Sequence, residues 1–268
     1  MKMDASIVPR DKSAGLLIPA IAMLCALALL LGLGTWQWNR KAWKEDLVAT
    51  IAARSAATPI DAAAFAALQC ETVEVVGLAR ACDYTAVRLT GTFDVAHERH
   101  IYTGIDKPVG GGVGGQGFWI MTPFQIANNG PVIAVNRGFV PETRKDISTR
   151  GGVQPSGEVT ITGLIRSAEP RATFTGANDP AKNMWYVRNP AEVFPATGPI
   201  KINRPQIYLD LQSPVPPGGL PQPTAGRISI PNRHLEYALT WWALAATLLG
   251  VFGAFAFGRL KASKASSL

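Results

Sequence analysis

The residues best equipped for chemistry in this chain are its three histidines, because imidazole titrates near neutral pH and is the commonest metal ligand. His234 stands in the run Pro231-Asn232-Arg233-His234-Leu235-Glu236-Tyr237-Ala238-Leu239-Thr240-Trp241-Trp242. Asn232 suits a helix cap. On the helix that follows, His234, Tyr237 and Trp241 fall at i, i+3 and i+7 and share one face. A neutral imidazole is a good axial ligand for haem iron, and a porphyrin is a flat apolar body that aromatic rings can receive. The same three residues also read as ordinary anchors at a membrane interface, and residue chemistry alone favours that plainer reading.

The other constellations are weaker. His97 and His100 form H-x-x-H, a metal spacing on a helix. Here they fall between two strand candidates, where that spacing puts them on opposite faces, so surface turn histidines are expected. Gly110–Gly117 carries six glycines in eight residues. It lacks the Lys-Ser/Thr of a phosphate loop and any strand–loop–helix context, so a hairpin loop is expected. No Gly-x-Ser-x-Gly elbow or other nucleophile–base set emerges, and enzyme activity lacks support. Cys70 and Cys82, 12 positions apart, could pair in an oxidising compartment or remain free thiols. Neither C-x-x-C nor C-x-x-x-C occurs, so thiol redox and cysteine-borne copper also lack support.

The elements that would position these residues begin with two apolar runs. The chain has 268 residues, 47% hydrophobic and 17% charged. Ala14–Gly34 holds 21 residues without a charge and Tyr237–Gly258 holds 22. At about 1.5 Å per residue each is roughly 31–33 Å long, enough to cross a bilayer core. The expected organisation is a tail at 1–13, a transmembrane helix at 14–36, a domain at 37–233, a second transmembrane helix at 234–258 and a tail at 259–268. Nothing between the runs is apolar for long enough to suggest a polytopic transporter.

Two crossings leave both tails on one side. Their basic residues place them in the cytoplasm, and a middle segment of roughly 190 residues is too long for Arg40, Lys41 and Lys44 to overrule this. The domain is then periplasmic, and the protein is expected in a bacterial inner membrane with the lipid bilayer as its first partner. A cleaved signal peptide is disfavoured by the length of the first run; Gly32-Leu33-Gly34 is the nearest cleavage candidate. No long acid-free leader rich in Arg and Ser suggests a mitochondrial precursor. The net charge is +7, but Arg40–Arg233 carries 20 basic and 16 acidic residues, so much of the excess lies in the tails. No basic stripe interleaved with aromatics is present, and nucleic acid is not an expected partner.

Five of the seven tryptophans (Trp36, Trp38, Trp43, Trp241 and Trp242) flank the outer ends of the two runs. They form an aromatic belt and, if the helices pair, a wall for a shared pocket. Gly32 and Gly34 would permit close helix approach. Residues 36–69 continue as helix, with a break at Thr58-Pro59 and Asp61 as a new cap. Thereafter short runs rich in Val, Ile, Thr and aromatics alternate with turn residues: Val73–Leu78, Ala86–Phe93, His100–Thr103, Gly117–Gln125, Val132–Val140, Glu158–Ile165, Trp185–Arg188 and Gln206–Leu211. Asn128-Asn129-Gly130-Pro131 marks a hairpin turn between two of them. The fold class is therefore membrane-anchored α+β, a two-helix transmembrane hairpin carrying a mainly antiparallel β domain of barrel or sandwich type. Ser213–Pro231, rich in Pro and Gly, reads as an extended connector back to the membrane.

Four motifs, in order, resemble a known family. Gly34-Thr35-Trp36-Gln37-Trp38-Asn39-Arg40-Lys41-Ala42-Trp43-Lys44 is similar to its G-x-W-Q-x-x-R-x-x-W-K. Val87–Phe93 is similar to its V-x-x-x-G-x-F strand. Gly117–Phe124 followed by Val135-Asn136-Arg137-Gly138-Phe139-Val140-Pro141 resembles its G-[FY]-x-[VI]-x-T-P-[LF] and V-N-R-G-W-V-P pair. His234–Trp241 resembles H-L-x-Y-A-x-T-W. The family is that of surfeit locus protein one, also called Shy, and the likeness covers roughly residues 15–258. Phe139 departs from the usual Trp, and the Gly-rich loop is longer than expected. The resemblance implies an assembly factor for haem-copper terminal oxidases, chiefly cytochrome c oxidase, and not an enzyme. It implies haem a as a transient cofactor and the oxidase core subunit as recipient, with haem a synthase as a further partner. It carries the haem-iron ligand onto His234, with Tyr237, Trp241 and Trp36 as further cofactor-binding candidates. A scaffold that holds the oxidase subunit without binding haem stays open. Asn136 and Arg137 are expected either at a partner surface or in the fold, with Arg137 paired to a carboxylate across its hairpin.

Overall fold

The computed structural model describes residues 14–70, 82–106, 112–152, 155–223 and 232–265. The chain divides into two units, Met1–Asp46 with Pro231–Leu268, and Leu47–Ile230.

The first unit is built on two long helices, α1 (Ala14–Ala56, whose last turns belong to the second unit) and α4 (His234–Ala265). Gly15–Ala56 and His234–Ala262 are long and apolar enough to cross a membrane. Leu17, Ile18, Ile21, Leu24 and Leu29 on one helix, and Leu244, Leu249, Val251 and Phe257 on the other, point outward. A helix apolar around most of its circumference needs an apolar surround, which lipid supplies.

In the second unit α1 ends at Ala56, and Asp61 caps α2 (Ala62–Ala67) by accepting from the Ala64 amide at 2.8 Å, as its sequence predicts. Between them Ile60 bridges Val87 in parallel, bonded to Ala86 and Arg88 at 2.9 and 2.8 Å. Cys70 and Cys82 form a disulfide against the core. The expected strand Val73–Leu78 lies outside the described residues.

Seven strands make one mixed sheet: β1 (Ala86–Phe93), β2 (Arg99–Ile105), β3 (Gly115–Ile126), β4 (Val132–Pro141), β5 (Glu158–Ser167), β6 (Met184–Trp185) and β7 (Ile207–Ser213). Their order is β1-β5-β7-β4-β3-β2-β6, and β1 also pairs with β3, so β1, β5, β7, β4 and β3 pair in a closed cycle. Most pairs are antiparallel as expected, but β4–β7 and β2–β6 are parallel. The expected strand at Trp185–Arg188 is only Met184–Trp185; beyond it Asn189 caps the short helix α3 (Pro190–Val193).

The β3–β4 hairpin turns where the Asn-Asn-Gly signal places it. Asn128 and Asn129 both take positive φ, 57° and 54°, which asparagine tolerates better than most residues and a type I′ turn requires. The Gly-rich stretch joins β2 to β3, although Gly110 and Gly111 lie outside the described residues. β4 is buried along nearly its whole length because both its faces are covered. Ile133 and Val135 join one core cluster with Leu89, Phe124, Ile161 and Leu209. Ala134 joins the other with Ile101, Met121, Trp185 and Tyr208. This is the period-2 alternation of a strand inside two cores rather than one.

The register slips between Trp119 and Met121 opposite Phe139 and Asn136, leaving an extra residue on β4. Gly138 sits in that bulge at φ +127°, where a Cβ would meet the Gln222 backbone. Gln222 and Phe139 exchange backbone bonds at 2.9 and 2.8 Å. The expected extended connector Ser213–Pro231 is fastened to the sheet at Gln222; residues 224–231 lie outside the described residues.

With both faces of β4 covered, Asn136 and Arg137 are both buried, each 1% exposed, which removes the partner-surface alternative for them. Asn136 donates to Asp210 at 2.7 Å, and Arg166 donates to the same carboxylate at 3.1 Å. Arg137 lies 3.9 Å from Glu98, which precedes β2 and is not on the partner strand of the β3–β4 hairpin. Arg150 clasps Glu98 bidentately at 2.7 and 3.0 Å, and His100 Nε2 donates to it at 2.8 Å. His100 is therefore buried inside β2 and not a surface turn histidine. His97 is half-exposed and bound to Asp94 at 2.7 Å.

Candidate functional site

The candidate site of the first unit is set by how α1 and α4 meet. Three contacts fix this. Gly34 receives the Trp242 indole so closely that a Cβ there would collide with it. Trp38 and Trp242 lie 5.9 Å apart, centroid to centroid, tilted by 37°. His234 Nδ1 and Gln37 Oε1 are 2.6 Å apart. The contacts 37–234 and 34–242 run in opposite senses along the two helices, so the pair is antiparallel. Ala238 and Ala245, 0% and 2% exposed, lie in the same stripe of α4. Small residues let two backbones approach in lipid, where no hydrophobic force drives helices together.

The stripe also decides which expected site residues converge. At roughly 100° per residue, Ala238 and Ala245 lie about 40° and 20° round from His234, Trp241 about 20° to one side and Trp242 about 80° to the other. Tyr237 falls about 60° the opposite way from Ala238. The structure accordingly places His234 and Trp241 half-buried, while Tyr237 is 54% exposed. Trp36 is 57% exposed on α1. Gly34 is buried, whereas Gly32 has open space around it.

The group brought together is thus His234, Gln37, Gly34, Trp38 and Trp242, with Trp241 beside it. Gln37 is not distinguished as a site residue by the sequence, and Trp242 only as one of five tryptophans that would wall a pocket between paired helices. The signal for Gln37 is its place three residues after Gly34, on the same face of α1, as a polar amide just past an apolar run. Trp242 becomes distinguishable from Trp241 only once the direction of α1 is known.

Chemically, an amide oxygen only accepts hydrogen bonds, so Nδ1 of His234 must donate. In a neutral imidazole Nε2 then carries the lone pair. Nε2 has no hydrogen-bond partner among the described residues. A half-buried imidazole with one nitrogen engaged and one lone pair available, on a helix pair that also carries indoles, fits coordination of a haem iron.

The second unit offers a cavity of about 320 Å³ between β1, β5, β7 and the Pro214–Pro217 segment. It is lined by Phe93, Val159, Leu211 and prolines, with Arg137 as its one charged group. That lining supplies no imidazole, carboxylate or hydroxyl for acid–base work. Burial, together with the nearby Arg150 charge, lowers the Arg137 pKa to about 10 against the opposing pull of Glu98. For Glu98, burial pushes the pKa up, but the hydrogen bonds from His100 and Arg150 outweigh it and hold the carboxyl below its ordinary range.

Two long apolar helices, one headed by a histidine, and a mixed-sheet unit in one chain are compatible with a membrane-anchored factor. The SURF1 family model matches residues 24–246, and the chain belongs to that family. It is 34% identical over 244 residues to human Surfeit locus protein 1, covering 86% of this chain and 72% of the relative. It is 31% identical over 261 residues to a SURF1-like protein of Monosiga brevicollis, covering 94% and 92%. A SURF1-like protein of Drosophila melanogaster is 30% identical over 238 residues, covering 84% and 73%.

Proposed function

We propose that this chain is an assembly factor for a haem-copper terminal oxidase of the cytochrome c oxidase type, and that it holds haem a on His234 and delivers it to the oxidase core subunit. The carrying observation is the His234 imidazole, half-buried at the head of an apolar helix with its Nε2 lone pair available. Family membership supports the oxidase. When bound, haem a supplies an iron that accepts the imidazole lone pair and a ring that packs on apolar surfaces.

His234 would hold the iron through its Nε2 lone pair. Trp241, Trp242 and Trp38 offer flat apolar walls, while Tyr237 and Trp36, both exposed, lie outside this group. Free haem aggregates and does redox damage, so a carrier must cover it, yet must also release it. One protein ligand and an aromatic wall meet both demands. The chain acts in this reading as a carrier and not as a catalyst.

The setting is the bacterial inner membrane, with both termini cytoplasmic and the β-rich unit periplasmic. Haem a synthase is the natural donor and the core subunit the recipient. The closed cycle of strand pairings supports a barrel-like body for the periplasmic unit.

The test is purification of the full chain from cells making haem a, beside His234→Ala. Pyridine haemochrome analysis should find haem a in the first and a loss of at least about tenfold in the second, since a ligand is removed outright. Equal haem in both would reject the ligand assignment. Co-purification with the oxidase subunit but without haem in either would establish a scaffold instead.

A further inference from the structure

We infer that Gln37 is the positioning residue of this site: it fixes His234 as the Nδ1–H tautomer, so that Nε2 faces the iron, and it sets how firmly that nitrogen grips. The inference rests on the reading of His234 as a haem ligand and goes beyond it, to what makes the ligand both competent and releasable.

The two tautomers of a neutral imidazole differ in which nitrogen has a lone pair, and the partner of the other nitrogen selects between them. The only hydrogen-bond partner of the His234 ring among the described residues is the Gln37 amide oxygen, at 2.6 Å. Because that oxygen accepts and cannot donate, it selects Nδ1–H. The bond also stops the ring from turning about its χ2 axis. It joins residues 197 positions apart in sequence, so it forms only when α1 and α4 pair. Gly34, one turn before Gln37, admits the Trp242 indole and so sets that pairing. The site is therefore assembled by helix packing rather than carried by either helix alone.

The chemistry of the acceptor matters as well. Metal-bound histidines commonly give their second N–H to a carboxylate or a carbonyl, which raises the basicity of the ligating nitrogen. A carboxylate polarises the ring strongly because it is charged. The neutral amide of Gln37 polarises it less. An amide acceptor thus orients the imidazole fully while leaving the iron bond of moderate strength, as a protein that must hand on its haem requires.

Gln37→Leu removes the acceptor at similar size, and Gln37→Glu restores an acceptor with a charge. The full chain, purified free of haem with ¹⁵N-labelled histidine, reports the His234 tautomer by NMR, its resonance identified by its loss in His234→Ala. The wild type should show Nδ1 protonated and Nε2 bare, and Gln37→Leu should shift the population toward Nε2–H. Loaded with haem a, Gln37→Leu should retain it about 10–100-fold less well, the usual effect of removing such a partner. Gln37→Glu should recover retention, lower the midpoint potential of the bound haem and slow its transfer to apo-oxidase. An Nε2–H tautomer in the wild type overturns the inference. So does a Gln37→Leu protein that matches wild type in tautomer and retention while His234→Ala loses its haem; that pattern keeps His234 as ligand and removes only Gln37. Undiminished haem in His234→Ala overturns both assignments, whatever the tautomer.

Discussion

His100 and His234 show how a partner decides what an imidazole can do. His100 gives its Nε2 proton to Glu98 at 2.8 Å inside the sheet and is one of three cationic or polar groups gathered on that carboxylate. His234 is engaged through Nδ1 by a neutral amide, and its other nitrogen stays available. The first is a structural residue and the second a ligand candidate. Removing Glu98 would leave two buried guanidiniums without their shared carboxylate, so Glu98→Ala should lower the unfolding free energy by about 3–5 kcal/mol in chemical denaturation. The pH dependence has a definite sign. The folded Glu98 pKa lies below the ordinary value of 4.5, so its contribution is full above pH 4.5 and is lost as pH falls through the folded value. Stability measured on either side of that value should fall with acid in the wild type and fall less steeply in Glu98→Gln.

Among the elements, the pairing of α1 with α4 is the one on which the candidate site depends. Gly34 packs directly against the Trp242 indole, whereas a Cβ at Gly32, two residues earlier, would meet nothing within 4 Å. Gly34→Leu should therefore push the helices apart, break the Gln37–His234 bond and lower the melting temperature in detergent by several degrees, while Gly32→Leu should leave both unchanged. In the β-rich unit the comparable device is the bulge at Gly138, beside which Phe139 pairs with Gln222 and fastens that segment to β4.

For the molecule as a whole, the compartment is the property most open to test. Its basic tails, its two apolar helices and its Cys70–Cys82 disulfide all agree with cytoplasmic termini and a β-rich unit in an oxidising space. Protease added to spheroplasts should then degrade the β-rich unit and spare a tag at the C-terminus, and the reverse pattern in inside-out vesicles completes the check. Cleavage of the tag in intact spheroplasts would reverse the orientation.

Much of this was legible in the chain alone, because it is set by near neighbours. The two apolar runs, the Asp61 cap, the Asn-Asn-Gly turn and strands β1, β3, β4 and β5 follow from local propensity and periodicity; the strand bounds match within two residues, while both long helices run on past the ends of their apolar runs. His234 stood out for the same reason, as a histidine at the mouth of an apolar helix. What only the tertiary structure decided are the relations between distant segments. Strand order, the two parallel pairings and the burial of Arg137, Glu98 and His100 depend on which strand lies beside which. The partner of His234 depends on the rotation of one helix against another. A helix sequence fixes the angle between its own residues but not the direction from which a second helix approaches, and that direction brings Gln37 to the imidazole while leaving Tyr237 and Trp36 outside.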